Sequence, residues 1–511
     1  MAKYKDYSYE QTVLLPVSFS NQILPGTFEY TLNSVIDDLD LSIFEERFTN
    51  DETGAPAYDP SILLKIILFA YSKGIISSRK IERLCMENVV CMALSADTSP
   101  HFTTIANFIS TMEKEIAPLF TEILSACYAN NVIGKNMFAI DGCKISSNCS
   151  KEWSGTKKEL LKKARKIEKS VEFLLSKHKQ MDMNKYNEHE IDREKKSIEK
   201  LKTRSRKIHD WLNSNEEKIG VQGKPVKSNI IDNESAKMST SHGVIQGYNG
   251  IAAVDEDHQL IVWGEAVGDT TESKHLPEIL EGIKGNFKEI EASEDIYNEV
   301  VVTADSGFHN EKNMKLIIDN GITGFIADNQ FRKRDVRFES AVEHKKKPVM
   351  NWKPAKGKNY FSADDFTYDE KSGKLLCPAG HAMKVKCRNF QATGYKGISY
   401  IGRRENCMWC SLRSRCIRKE ETKARQVAKL DKSRGEAKIS YTERMKKLFD
   451  SPEGRSIYSK RMGTVEPVFA HIRDVLHLDR FTLRSKKKVN IQWLLYCIVH
   501  NIGKLQRYGT A

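Results

Sequence analysis

Two short apolar runs, far apart in this chain, each end in an aspartate, and that pairing constrains the fold more than any other feature. Asn136-Met-Phe-Ala-Ile-Asp141-Gly-Cys-Lys-Ile145 and Glu299-Val-Val-Val-Thr-Ala-Asp305-Ser-Gly-Phe308 each read as a buried strand that stops at Asp, where glycine or Ser-Gly opens a turn. Each carboxylate is then presented at its strand's exit. Aspartate is also an ordinary turn former, so neither residue carries a functional reading alone.

A third acid supplies the company. Glu466 lies inside Tyr458-Ser-Lys-Arg461-Met-Gly-Thr-Val-Glu466-Pro-Val-Phe-Ala-His-Ile-Arg473, where Val465, Phe469, Ile472 and Leu476 make an apolar helical stripe. Glu466 sits at the border of that stripe, within reach of a neighbouring sheet. Strand, strand and helix then give one carboxylate each, a donor set suited to magnesium or manganese, which prefer oxygen ligands. A pair of such ions roughly 3.5 to 4 Å apart activates an attacking water or hydroxyl and stabilises the leaving oxygen of a phosphodiester. Asp255, Asp269 and Glu272 lie near the same strands and read as turn or cap residues, outside the site.

Length and charge bound the rest. With 511 residues the chain has room for roughly two to four domains and a substantial core. Its formal charge of +13, from 81 Lys and Arg, favours polyanionic partners through counterion release, although a basic protein need not bind DNA. No run of about 18 apolar residues occurs, and Met1-Ala-Lys-Tyr-Lys-Asp6 lacks the apolar core of a signal peptide, so the expectation is a soluble cytosolic chain with no membrane partner. The 11 cysteines, with Cys85, Cys127 and Cys497 in apolar helical settings, point to reduced thiols rather than a disulfide framework.

Periodicity divides the chain. Residues 1–130 read as an all-α N-terminal domain, with helices at 59–71, entered through Asp-Pro-Ser, at 77–85 and at 103–112. Short helices with tight turns suit a helix-turn-helix-like DNA reader and equally an ordinary bundle. Residues 131–329 alternate strands and helices. They are interrupted over 151–215 by a segment with 19 Lys or Arg and 11 Asp or Glu in residues 151–210, so most of its surface is solvated. Within it Leu160, Ala164, Ile167, Val171, Leu174, His178 and Met181, then Ile198, Leu201, Ser205, Ile208 and Leu212, repeat at heptad spacing, separated by a polar break at 182–189. That pattern is a helical hairpin inserted after the first aspartate strand, with His178 a tolerated polar position in its seam.

Residues 330–450 are basic and Cys-rich. Cys377, Cys407, Cys410 and Cys416, with His381 and Cys387 as substitutes, match a structural zinc site, and equally a small core of reduced thiols. Residues 451–511 hold the Glu466 helix, then Lys486, Lys487 and Lys488 ahead of an apolar helix at 491–502, a natural phosphate contact.

The chain resembles the DDE transposases of bacterial insertion sequences. The resemblance rests on Asp141-Gly-Cys-Lys-Ile145, on Gly247-Tyr-Asn249 leading to Asp255, and on Ala304-Asp-Ser-Gly-Phe308. It rests also on Val465-Glu-Pro-Val-Phe469 and on Phe481-Thr-Leu-Arg484-Ser-Lys-Lys-Lys-Val489 running to Trp493 and His500-Asn501. Tyr458, Arg461, Glu466 and Arg473 follow a Tyr, Arg, Glu, Lys signature with two departures: four residues separate Arg from Glu instead of three, and Arg stands for Lys.

The resemblance implies a ribonuclease H-like α/β core of mixed sheet and flanking helices, with Asp141, Asp305 and Glu466 as catalytic magnesium ligands. It implies cleavage at transposon ends and strand transfer into target double-stranded DNA by a nucleoid-associated bacterial protein. Tyr458, Arg461 and Arg473 would contact DNA. A homodimer in the DNA complex follows from the reaction, since two ends must be paired. Two alternatives stay open: a ribonuclease H-like nuclease without strand transfer, and a transposase-derived DNA-binding protein that no longer cuts.

Overall fold

The computed structural model describes residues 18–47, 56–180, 188–220, 223–240, 243–335, 337, 360–363, 365–369, 374–392, 395–419, 421–430 and 440–509. Met1–Asp6, Met181 and most of the polar break at 182–189 lie outside them. The chain forms two compact units, Met1–Phe331 with Tyr441–Ala511, and Arg332–Ser440.

The larger unit opens with helices α1 (Phe28–Asp38), α2 (Pro60–Ser72), α3 (Ser78–Glu87), α4 (Phe102–Thr111) and α5 (Ile116–Ala129). The start of α2 is set locally: Asp59 caps it by accepting the Ser61 N–H at 2.7 Å, and Pro60 occupies the first turn, where no N–H is needed. Strand β1 (Met137–Ser146) follows, then the hairpin of α6 (Lys157–Gln180) and α7 (Glu188–Ser214). Leu160 and Ala164 near the start of α6 pack with Ile208 and Trp211 near the end of α7, so the pair is antiparallel and the heptad seam is its interface. Ser205, a polar member of the seam on α7, donates to Glu168 at 2.8 Å.

The remaining elements are β2 (Ala236–Thr240), β3 (Gly243–Asp255), β4 (Ile261–Val267), α8 (Leu276–Glu289), β5 (Val301–Ala304), α9 (Glu311–Asp319) and β6 (Gly324–Ile326). After the smaller unit come α10 (Tyr441–Phe449), α11 (Pro452–Ala470) and α12 (Lys486–Tyr508). The sheet runs β4-β3-β1-β5-β6, with β2 beside the first half of β3. β4, β3 and β1 pair antiparallel, whereas β1, β5 and β6 pair parallel. An antiparallel meander followed by parallel crossover strands, with helices on both faces, is consistent with a ribonuclease H-like type of fold.

Side-chain alternation along each strand assigns the two faces. Ala139, Cys143 and Ile145 of β1 join Tyr248, Ala252 and Val254 of β3 in one core with the N-terminal helices, α11 and α12. Phe138, Ile140, Ile251, Ala253, Val302 and Ala304 face the other way, onto Ile279, Ile283 and Phe287 of α8 and Met314 and Ile317 of α9. The N-terminal helices therefore share their apolar interior with the sheet and α12.

Helix α12 is docked by polar side chains as well as apolar ones. Asn501 accepts the Ile261 N–H at 2.9 Å and donates to the Ile261 carbonyl at 2.8 Å, and Asn490 accepts the Ala266 N–H at 3.0 Å. The 11 residue steps from Asn490 to Asn501 rise roughly 16 Å along the helix, and the 5 steps from Ile261 to Ala266 roughly 17 Å along the strand. The helix thus runs along the exposed edge of β4 in step with it and occupies backbone groups that a further strand would otherwise take. Trp493 reaches over the sheet and donates to the Ile251 carbonyl at 3.2 Å. It comes so close that a Cβ at Gly250 would stand 2.8 Å from its ring. His500, fully buried, is held neutral because burial pushes its pKa down to about 3. Its Nε2–H donates to the Gln259 carbonyl at 2.8 Å, so its Nδ1 accepts from His471 at 3.0 Å.

In the smaller unit, Thr367–Asp369 pairs with Lys374–Leu376, and Lys384–Ala392, Tyr395–Ile401 and Gln426–Leu430 form an antiparallel sheet. Phe366, Leu375, Met383, Tyr400 and Val427 make its core.

One sequence expectation is corrected here. Asp141 does not end its strand: β1 continues to Ser146, because Gly142 to Ser146 find antiparallel partners in Ile251 to Gly247 of the long β3. The glycine that signalled a turn instead leaves room for Asn249, whose amide nitrogen would lie 2.6 Å from a Cβ at residue 142.

Replacing Asn501 with alanine leaves the buried Ile261 N–H and carbonyl without their partner. The expected loss is about 1–3 kcal/mol, read as a lower urea midpoint at unchanged slope. An unchanged midpoint would show that the edge of β4 does not depend on this amide.

Candidate active site

The parallel ladder between β1 and β5 ends at the pair Ile140 and Ala304. The next residues in register are Asp141 and Asp305, so two chain segments leave the ladder side by side, each with a carboxylate, on strands spaced roughly 4.8 Å apart. Asp305 turns outward as the cap of a short 3-10 helix, Ser306–Phe308, accepting the Gly307 N–H. Asp141 shares its face of β1 with Ala139 and Cys143, toward α11, and accepts its neighbour's Gly142 N–H at 2.9 Å.

Arg461 of α11 meets Asp141 with Nη2 to Oδ2 at 2.8 Å. Arg461 is 7% exposed and its Nε has no hydrogen-bond partner among the described residues, so Asp141 is its principal anchor. Burial still dominates the Asp141 carboxyl and raises its pKa; Arg461 and the Gly142 N–H pull it down, while the charge of Asp305 adds to the rise. The two aspartates therefore feel each other.

Glu272, read from the sequence as a cap outside the site, is close enough to the aspartates for the charges of Asp141 and Asp305 to act on it. It opens the 3-10 helix Glu272–His275 that leads into α8. Burial, followed by the charges of Asp141 and Asp305, pushes its pKa up to about 7, with Asn249 and Lys144 acting in the opposite sense. Asn249 is itself 1% exposed, and neither of its amide atoms makes a full hydrogen bond. Nothing local in Gly268-Asp-Thr-Thr-Glu272 marks this acid. Its only sequence signal is that it follows a strand, as the two aspartates do. Asp255 and Asp269 keep structural parts. The first accepts the N–H groups of Asp257, His258 and Leu260 in the β3–β4 turn, and the second pairs with Lys274 and His275.

Glu466 is exposed on α11, next to the fully buried Val465. No ion pair joins it to another described residue in this structure. Arg473, in the π-helical turn His471–Val475 that follows α11, lies against Cys143, where it opposes the upward push of burial on that thiol. Tyr458 packs edge-on against Phe449 and Phe331, with ring centroids 4.9 and 5.5 Å away. The three lysines form the first turn of α12 rather than preceding it. Lys486 pairs with Glu265 at 2.7 Å, Lys487 with Glu113 at 2.5 Å, and Lys488 is exposed.

Among the described residues, no group of three or more His, Cys, Asp or Glu side chains is gathered closely enough to hold a metal ion. The donor chemistry nonetheless fits a hard divalent cation: carboxylate oxygens on adjacent segments, with a buried amide oxygen on Asn249 that lacks a donor. No described helix is long and apolar enough to cross a membrane.

Comparison with known proteins points the same way. No curated protein matches the sequence. Residues 376–506 match the family model described as "Transposase DDE domain", and residues 17–111 match "Transposase domain (DUF772)". The first match takes in Cys377 to Cys416, Glu466 and most of α12 but neither aspartate, and the second takes in α1 to α4. Together these two matches support assignment of the chain to a transposase family.

Proposed function

We propose that this chain is a DNA transposase that cleaves phosphodiesters at the ends of its element and joins them to target DNA. The observation that carries this reading is the register of β1 and β5, which sets Asp141 and Asp305 side by side next to Arg461. Asp141, Asp305 and Glu466 would hold the magnesium or manganese ions, which when bound activate the attacking oxygen and stabilise the leaving one. Glu466 lies on the helix that already reaches Asp141 through Arg461, but about 140° further round its axis, so α11 would have to turn or rewind to bring it to the aspartates.

Arg461 orients Asp141 and opposes the rise that burial gives its carboxyl, and with Arg473 it would offer planar guanidinium groups to phosphate. The Phe331, Phe449 and Tyr458 cluster fixes the start of α11, and with it the direction of Arg461. Lys488 is a free phosphate contact, whereas Lys486 and Lys487 would have to exchange a carboxylate for DNA. Helices α3 and α4 are the candidates for reading the element's end in a groove.

The direct test is cleavage of DNA bearing the element's ends in magnesium. Asp141→Asn, Asp305→Asn and Glu466→Gln should each lower the cleavage rate by about a hundredfold or more while leaving DNA affinity nearly unchanged. Near-normal cleavage by any one variant removes that residue from the site. Cut products without joined products would mark a nuclease, and binding without cutting an idle descendant.

Glu272 gives a test that needs no DNA. Its folded pKa lies above its ordinary 4.5, at about 7, so the native state holds a proton that the unfolded chain has released. Stability must therefore fall as pH rises from about 4.5 to about 7, and stay reduced above that. In EDTA, Glu272→Gln should flatten this slope and raise stability at pH 8 by on the order of 3 kcal/mol. Magnesium at pH 8 should then stabilise the wild type more than the variant. Matching pH profiles for the two proteins would place Glu272 outside the cluster.

A further inference from the structure

We propose that Cys377, Cys407, Cys410 and Cys416 bind one zinc ion as a tetrathiolate that organises the unit Arg332–Ser440. The residues of this site are not those of the Asp141 site, and it does not depend on the function read from them. All four cysteines line a single cavity of about 30 Å³, although three different segments carry them there. None of the four is in a disulfide.

Each segment presents its thiol through a local backbone device. Cys377 starts a tight turn in which the Gly380 N–H donates to the Cys377 carbonyl at 2.7 Å and the Cys377 N–H donates to the His381 carbonyl at 3.0 Å. Gly380 has φ +78°, a left-handed conformation natural to glycine. Cys407 lies in the short helix Arg404–Met408, and Cys410 follows where that helix ends. The Arg413 N–H then bonds to the Cys410 carbonyl at 3.0 Å and starts the turn Arg413–Cys416, which delivers the fourth sulfur. Two residues between Cys407 and Cys410, with two further thiols across the cavity, suit the tetrahedral geometry of zinc, with sulfur at about 2.3 Å.

The surrounding charge fits a tetrathiolate better than a thiol core. Four thiolates around a divalent ion carry a net charge of about −2, and Arg403, Arg413 and Arg425 all line the cavity. Arg425 donates through Nη2 to the Phe361 carbonyl at 3.0 Å, yet its Nε is buried with no hydrogen-bond partner. A thiolate would satisfy it; a neutral thiol is a poor acceptor. Burial raises the Cys416 thiol while Arg425 opposes that rise, and the other three cysteines register as its electrostatic neighbours. Among the described residues the sulfurs are not gathered at ligating distance. Zinc binding would have to draw them inward, releasing their protons to solvent.

Cys387 and His381 provide the controls. Cys387 is exposed on the strand Lys384–Ala392 and does not line the cavity, whereas His381 lines it from the turn that Cys377 already serves. Full-length protein dialysed against metal-free buffer should carry about one zinc per chain by atomic emission. An organomercurial should release that zinc as the four thiols are modified, and cobalt exchange should give the thiolate-to-metal charge-transfer and d–d bands of a tetrahedral sulfur site. Cys407→Ser and Cys416→Ser should each lose most of the metal, and Cys387→Ser and His381→Ala should keep it. If the serine variants are insoluble, the cobalt spectrum of the wild type decides. The proposal is overturned by folded protein with no stoichiometric zinc and four freely reactive thiols. A site emptied by Cys387→Ser or His381→Ala but not by Cys416→Ser overturns it as well.

Discussion

The asparagine contacts between α12 and β4 are the constraint on which the larger unit depends. They fix the helix in register with the edge of the sheet, and once it is there its apolar residues cover one sheet face and meet the N-terminal helices on their far side. Glycine at 250 and 264 is the counterpart on the sheet: either Cβ would press on Trp493, so the sheet is kept bare where the indole lies. Helix α11 enters the same core through Val465 and Val468. Its Phe469 stacks on Trp493 with ring centroids 6.4 Å apart, which ties the helix that carries Arg461 to the seating of α12.

Charge at the candidate site is balanced within the protein. Two aspartates on neighbouring strands, with Glu272 close enough to sense both, would repel one another in a half-buried setting. Arg461 supplies one compensating charge and Lys144 a weaker one, while raised carboxyl pKa values relieve part of the remainder.

The sequence revealed the elements better than their relations. The α6–α7 hairpin was legible because its heptad seam depends on residues close in sequence, and Asp59-Pro60 announced α2 through capping chemistry that acts within one turn. Asp141 and Asp305 were legible as strand-associated acids, but their adjacency comes from a parallel register between strands separated by the whole hairpin, and local pattern does not encode that. Gly142 misled because a glycine that makes room for Asn249 looks like one that makes a turn. Glu272 reads as a cap and does open a helix; that the charges of the two aspartates also act on it comes from the fold and not from its own segment. The strands of the smaller unit escaped notice because their basic, partly exposed sequence lacks the alternation of a sheet covered on one side.

The core that joins sequence-distant elements also sets an order of events during synthesis. Residues 486–508 contribute the largest buried side chain, Trp493, and they meet partners from α1 onward. A nascent chain that has not yet delivered this segment can form the hairpin, whose contacts are local, but it leaves the edge of β4 open and one sheet face unpaired with its helix. Such a chain presents unsatisfied strand backbone and apolar surface for as long as translation of residues 268–485 takes. Folding of the larger unit therefore waits until residues 486–508 have been made, and a ribosome stalled within the Cys-rich segment leaves a product that would need a chaperone or a protease.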